Sequence, residues 1–177
     1  MLKIALTGGV GAGKTYISKH FMDMGIPVFY ADDEAKKLYD LPHVVTFFEN
    51  HFGKDIYVNV VLNTAKLSSI LFSDAQKRTL VNNFIHPQVM NLFLTWAEQQ
   101  EKECVMMESA LIYEAKLESF FDKIIVVHAP LEQRIKRLAN KYPSLTQEDI
   151  QKRIDAQMPQ EEKLRRADFV INNEDVT

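Results

Sequence analysis

The chain has 177 residues, of which 46% are hydrophobic and 25% charged, and its formal net charge is −3. Those proportions exclude a disordered or fibrous chain, and the length fits a single domain over residues 1–177 that carries subregions. No run of about 18 apolar residues is present, which excludes a helical membrane span, and the acidic balance argues against a domain held to nucleic acid by phosphate contacts.

The first segment, Met1-Leu2-Lys3-Ile4-Ala5-Leu6-Thr7, leads straight into glycines and lacks the parts of a secretory signal. With one cysteine, Cys104, no internal disulfide can form, and the expected location is the cytoplasm. Leu2–Leu6 has the length and apolar content of a strand, ended by Thr7-Gly8-Gly9. From Lys14 to Met24 the pattern reads as a helix, with Ile17, Phe21 and Met24 on one face and Gly25 as its stop. Pro27–Ala31 reads as a second strand with Asp32 at its end, completing a parallel βα unit. The middle third reads as mostly helical, over about Asp33–His51 and about Asp74–Glu103. Ser73 is the expected cap of the second helix, and His86-Pro87 is expected to break or kink it. Leu92, Phe93 and Trp96 fit a core at helical spacing. Val105–Met107 and Ile124–Val127 return to strands, the latter apolar throughout, as in a strand buried on both faces. A helix is expected over Leu131–Ala139, another start at Thr146 with Asp149 in its first turn, and a last strand at Phe169–Ile171. This alternation predicts an α/β sandwich around a parallel sheet.

Charge is uneven along the chain. Residues 1–131 hold 12 basic and 15 acidic side chains, 132–166 hold 9 and 6, and 167–177 hold none and 3. The basic stretch suits either a small anionic ligand or a solvated helix face.

Gly8-Gly9-Val10-Gly11-Ala12-Gly13-Lys14-Thr15 fits the P-loop pattern G-x-x-x-x-G-K-[ST], after a predicted strand and opening a predicted helix. Its glycines let successive N–H groups turn inward as an anion nest, and the helix adds its positive N-terminal end. Lys14 is placed to reach the β- and γ-phosphates of a nucleotide, and the Thr15 hydroxyl to bind Mg²⁺. A guanine-specific switch is disfavoured: Asn140-Lys141-Tyr142-Pro143 carries proline where the base-reading acid belongs, and no D-x-x-G follows a strand.

Ligands of an open parallel sheet gather beyond the carboxyl ends of its strands, where Asp32 and Glu108 are both expected. Asp32 there could accept the proton of an acceptor hydroxyl or simply cap the following helix. Glu108 could hold a metal or its water shell, or be a solvated strand end.

Taken in order, Thr7–Thr15, Ala31-Asp32, His86-Pro87, Glu108-Ser109-Ala110-Leu111-Ile112-Tyr113-Glu114 and Ala167-Asp168-Phe169-Val170-Ile171-Asn172-Asn173 resemble dephospho-coenzyme A kinase over essentially the whole chain. The resemblance implies transfer of the γ-phosphate of ATP to the 3′-hydroxyl of the ribose of dephospho-coenzyme A. It implies a nucleoside-monophosphate-kinase-like fold with a five-stranded parallel sheet, a helical acceptor-binding region around 33–103 and a lid around 138–160. Gly9, Val10, Gly11, Ala12, Gly13, Lys14 and Thr15 would cradle the ATP phosphates, with Asn172 near the adenine or in a turn. Asp32 would orient or deprotonate the acceptor hydroxyl, and Lys14 and Arg137 would neutralise the transferring phosphoryl group. Thr15 and Glu108 would hold Mg²⁺, while His86, Leu111, Glu114 and Lys141 would serve the acceptor side. Gln157 matches a family glutamine.

Several positions depart from the family pattern. Tyr30 stands where an Asp or Asn is common, Glu108 where an aspartate is usual, and Thr64 and Lys141 where arginines are usual. Lys141 keeps the charge but loses the planar fork. The family usually continues into a closing helix beyond Asn173, so either a shortened chain or a member lacking that helix is expected. Expected partners are ATP and dephospho-coenzyme A, with neither nucleic acid nor membrane, in a monomer or weak homo-oligomer. The remaining alternatives are another small-molecule P-loop kinase and a nucleotide-binding regulatory module without turnover.

Overall fold

The computed structural model describes residues 1–174. In chain order the elements are β1 (Leu2–Thr7), α1 (Lys14–Asp23), β2 (Val28–Tyr30), α2 (Ala31–Leu38), α3 (Pro42–Phe52), β3 (Tyr57–Val58), β4 (Val61–Leu62), α4 (Thr64–Ser73), α5 (Ala75–Glu98), β5 (Cys104–Glu108), β6 (Lys123–His128), α6 (Leu131–Lys141), α7 (Gln147–Asp155), α8 (Gln160–Arg166) and β7 (Phe169–Asn172). They form two compact units, residues 31–94 and the chain on either side of them, 1–30 with 95–174.

The first unit is built on a five-stranded parallel sheet in the order β2-β5-β1-β6-β7. β1 lies at its centre, so the carboxyl ends of all five strands share one edge with the loop that follows β1. Central strands covered on both faces need apolar side chains in succession, and Ile124–Val127 and Val105–Met107 are all buried. Leu6, Ala12, Met106, Ile125 and Val127 form a core against which Ile17 and Phe21 of α1 pack. Gly25 ends that helix region at φ +84, with its N–H on the Met22 carbonyl. α7 starts as its sequence predicts: Thr146 and Asp149 satisfy each other's backbone N–H in a capping box.

The second unit is helical, with a short antiparallel hairpin of β3 and β4. Val44, Phe48, Ile56, Leu67, Val81 and Ile85 are buried in it, and the Phe47 and Phe84 rings stack 3.7 Å apart. The Tyr57 hydroxyl donates to the Tyr39 carbonyl at 2.6 Å, and Asn63 caps α4 through the Lys66 N–H.

Several expectations are corrected. The single helix expected over 33–51 is two, because Pro42 has no N–H to continue a helix; it opens α3, and Leu41 before it is extended. Helix begins at Ala31, so Asp32 lies in the first turn of α2 and not at the end of a strand. Ser73 closes α4; Asp74 is the cap of α5, its Oδ1 accepting from the N–H groups of Gln76 and Lys77 at 3.0 Å. α5 then runs through Pro87 without a break and stops at Glu98, short of the expected Glu103. The carbonyl that Pro87 leaves without its helical donor is that of Asn83, an exposed residue that water can serve. Leu92 is 38% exposed and not core, whereas Phe93 is fully buried and Trp96 packs against Phe29 at 5.5 Å. Cys104 is half-buried, and burial pushes its thiol up, as suits an inert side chain. Residues 175–177, the last of the acidic tail, lie outside the described residues.

Candidate active site

The loop between β1 and α1 is where the sheet, a helix N-terminus and the glycine motif coincide. Gly13 caps α1 in the left-handed conformation (φ +90), and a Cβ there would fall 2.1 Å from the Asn173 side-chain nitrogen. The positive φ requires glycine, and a side chain there would also push the Asn173 amide aside. At Gly9 a Cβ would meet Arg134 and Gln160 at about 2.5 Å, so the chain behind the loop approaches its backbone directly.

That approach fixes the loop's polarity. Its carbonyls are taken from behind: Arg134 Nε donates to Val10 at 2.9 Å, the Asn173 amide to Ala12 at 2.9 Å, and Arg137 Nη1 to Gly11 and Ala12 at 3.4 Å each. Two early N–H groups are also anchored, Gly9 to Gln160 Oε1 and Val10 to Gln157 Oε1, both at 2.8 Å. Gln160 is buried and its amide donates onward to the Val127 carbonyl at 3.0 Å. The N–H groups of Gly11 and Gly13 make no hydrogen bond among the described residues. With the carbonyls of Val10, Gly11 and Ala12 turned outward and these donors left, the loop is an anion nest at a helix N-terminus. Lys14 Nζ sits on its rim, donating to the carbonyls of Gly8 at 3.1 Å and Gly9 at 3.4 Å.

Glu108 ends β5 beside β1, in register with Leu6 on one side and Tyr30 on the other. One carboxylate oxygen accepts from the Thr15 hydroxyl at 3.0 Å, the other from the fully buried Ser18 hydroxyl at 2.9 Å. No group of three or more His, Cys, Asp or Glu side chains placed to hold a metal ion occurs among the described residues. A hydroxyl and one carboxylate at a phosphate nest nevertheless fit Mg²⁺, which keeps several waters and takes its other ligands from phosphates.

The segment that braces the loop is itself anchored. Lys163 of α8 is fully buried; its Nζ pairs with Glu114 Oε1 at 2.7 Å and donates to the Ala110 carbonyl at 2.8 Å. The Met158 N–H donates to the same Glu114 oxygen at 2.9 Å. Burial pushes the Lys163 ammonium down, and Glu114 partly offsets it. Burial likewise lowers Arg134, with Glu161 in partial opposition.

The residues expected to act are therefore distributed as follows. Gly9–Thr15, Glu108 and Arg137 come together around the loop, Arg137 also donating to the Asn173 carbonyl at 2.8 Å. Asn172 is exposed at the end of β7; its neighbour Asn173 is the residue that touches the loop. Leu111 lies in the turn after β5, where its N–H donates to Ser109, and the Glu114 carboxylate is held by Lys163. Lys141 ends α6 with its ammonium 5.4 Å from the Tyr142 ring, which Arg153 also faces at 5.2 Å. Asp32 and His86 belong to the helical unit. Asp33 and Glu34 pair with Lys36 and Lys37, while Asp32 is exposed and its carboxylate makes no hydrogen bond or ion pair among the described residues. Sequence reasoning missed Ser18, Arg134, Gln160, Lys163 and Asn173. Only Asn173 carried a signal, as the neighbour of Asn172 in the Asn172-Asn173 pair at the end of the last strand.

Among the described residues no helix is long and apolar enough to cross a membrane. The family model for dephospho-CoA kinase matches residues 2–177. A dephospho-CoA kinase of Listeria monocytogenes is 38% identical over 179 aligned positions, covering 96% of this chain and 87% of the relative. One of Bacteroides fragilis is 35% identical over 175, covering 98% and 85%. The crystal structure of TT1252 from Thermus thermophilus superposes with a TM-score of 0.84 at 28% identity, covering 97% of this chain and 88% of that one. With a five-stranded parallel sheet, a braced phosphate loop and a match over nearly its whole length, the chain belongs to the dephospho-CoA kinase family.

Proposed function

We propose that the chain transfers the γ-phosphate of ATP to the 3′-hydroxyl of the ribose of dephospho-coenzyme A, giving coenzyme A and ADP, in the cytoplasm and as a monomer or weak homo-oligomer. The observation that carries the chemistry is the braced loop: Val10, Gly11 and Ala12 carbonyls held outward by Arg134 and Arg137, with the N–H groups of Gly11 and Gly13 left for phosphate oxygens. The family match carries the choice of acceptor.

In this reading Gly9–Thr15 hold the phosphates and Lys14 leaves the loop carbonyls to meet the β- and γ-phosphates. Arg137 neutralises charge as the phosphoryl group transfers, and its grip on the Asn173 carbonyl fixes where its guanidinium stands. Thr15 and Glu108 would hold Mg²⁺, which when bound supplies neutralisation of the phosphate oxygens. Asp32 accepts the proton of the 3′-hydroxyl; alone among the acids of its turn it carries no ion pair. Residues 33–103, with His86, form the acceptor-binding region of one kinase domain. Leu111, Glu114 and Lys141 border the acceptor, Glu114 by fixing the turn after β5 through Lys163. Residues 138–160 form a lid whose closure excludes water and suppresses loss of ATP to hydrolysis.

Asp32→Asn tests the assignment of roles. ATP binding, measured by calorimetry, is expected to survive, while ADP formation with dephospho-coenzyme A falls on the order of a hundredfold or more. Unchanged turnover would remove Asp32 from the chemistry.

A further inference from the structure

Beside Thr15 and Glu108 lie two hydroxyls, those of Ser18 and Tyr30, to which the phosphate chemistry assigns no part. Thr15, Ser18 and Met22 lie on one face of α1, at i, i+3 and i+7. Tyr30 and Glu108 are register partners on β2 and β5, so their side chains leave the same face of the sheet, towards α1. Ser18 Oγ is fully buried and lies 2.9 Å from Glu108 Oε2, 3.1 Å from the Thr15 carbonyl and 3.2 Å from the Tyr30 hydroxyl. The Tyr30 hydroxyl has the Met22 sulfur as its other neighbour, also at 3.2 Å.

Counting protons settles the direction of these bonds. Ser18 has one O–H, and the carboxylate is both the nearer and the charged acceptor, so the proton goes to Glu108. The Ser18 lone pairs then face Tyr30, whose own proton has a choice between that oxygen and a thioether. Oxygen is the stronger acceptor, so Tyr30 donates to Ser18. The result is a one-way relay, Tyr30 O–H to Ser18 O–H to Glu108, in which each bond polarises the next. It secures one carboxylate oxygen from the buried side and turns the other to the Thr15 hydroxyl at 3.0 Å.

We propose that Ser18 and Tyr30 are positioning residues which hold the Glu108 carboxylate in the orientation needed to take Mg²⁺ together with Thr15. This rests on Thr15 and Glu108 being the metal-holding pair. A glutamate carries one more rotatable bond than an aspartate and is harder to fix at a strand end; the two hydroxyls restrict it.

The test is the ratio of two dissociation constants for the non-hydrolysable β,γ-imido analogue of ATP, one measured in EDTA and one in excess Mg²⁺, which needs no turnover. Ser18→Ala is expected to lower this ratio on the order of three- to tenfold while the EDTA constant stays within about twofold. Tyr30→Phe is expected to lower it about twofold, and Ser18→Ala added to Glu108→Gln should lower it no further than Glu108→Gln alone. If Glu108→Gln lowers the ratio and Ser18→Ala does not, the positioning role is overturned and the metal pair stands. If Ser18→Ala weakens both constants equally, Ser18 is merely structural and the proposal is overturned. If Glu108→Gln leaves the ratio unchanged, the metal pair itself is wrong, and the relay has nothing to position. Should Ser18→Ala fail to fold, an unchanged ratio in Tyr30→Phe still refutes the relay.

Discussion

Gln160 ties the phosphate loop to the sheet through a buried amide. It is 6% exposed, accepts from the Gly9 N–H at 2.8 Å and donates to the Val127 carbonyl at 3.0 Å, joining the loop to the central strand β6. Gln160→Met keeps the length and flexibility of the side chain but removes both bonds. Gly9 and Val127 are both buried, so a backbone donor and a backbone acceptor are left without partners. At ~1–3 kcal/mol for each of the two orphaned groups the loss is about 2–6 kcal/mol. For a chain of this size, at about 2–4 °C per kcal/mol, that lowers Tm by roughly 4–24 °C. The Val10 N–H remains on Gln157, so the loop should loosen at Gly9 without collapsing. ATP affinity is then expected to fall on the order of tenfold, as the nest loses its preorganisation. Thermal denaturation and calorimetric ATP titration read the two effects separately. A Tm within about 2 °C of wild type with unchanged ATP affinity would refute the claim that the loop is braced from behind.

Two further outcomes follow from buried charge and buried hydroxyls. Lys163→Met leaves the Glu114 carboxylate buried without its cation, costing ~3–5 kcal/mol in urea denaturation; adding Glu114→Leu should recover most of that loss, and no recovery would mean the pair is not the source. Tyr57 and Tyr113 are each pushed up to about 12 by burial, so the folded chain keeps two protons that the unfolded chain sheds near pH ~10. Their stabilisation is complete below that pH and is lost as pH rises through about 12. Urea midpoints compared at about pH 9 and about pH 11 should fall, and fall less in the double Tyr→Phe variant; equal slopes would contradict the assignment.

Much of the sheet and of the loop was readable because both depend on local pattern. Apolar runs at Leu2–Leu6 and Ile124–Val127 mark buried strands, and glycine spacing marks the nest. The region 31–62 was less legible. Pro42 stands inside the span 33–51 expected as one helix and divides it, and Asp32, expected at a strand end, lies in a helix turn. The β3–β4 hairpin turns through Asn59 and Val60 at positive φ, and a β-branched residue gives no turn signal there.

In the site, residues proposed to act through their own chemistry were legible, whereas those held by burial were not. Thr15 and Glu108, proposed to hold Mg²⁺, were singled out from motif and position and meet at 3.0 Å. Arg134, Gln160 and Lys163 sit in a stretch so polar that it reads as solvated surface, yet all three are buried around the loop and its anchor. A lone serine inside a helix carries no pattern, so Ser18 emerged only from its contacts. Glu114 was expected on the acceptor side, and its ion pair with Lys163 became visible only in three dimensions.

The central claim is that the braced loop serves phosphoryl transfer to one kind of alcohol. The most direct measurement is steady-state ADP formation from Mg-ATP across a panel of acceptors, with the product identified by mass spectrometry. The expected result is one ADP per dephospho-coenzyme A consumed, a product heavier by one phosphoryl group on the ribose 3′-oxygen, and only slow ADP formation without acceptor. No turnover with dephospho-coenzyme A, alongside efficient turnover with a nucleoside monophosphate or another alcohol, would contradict it.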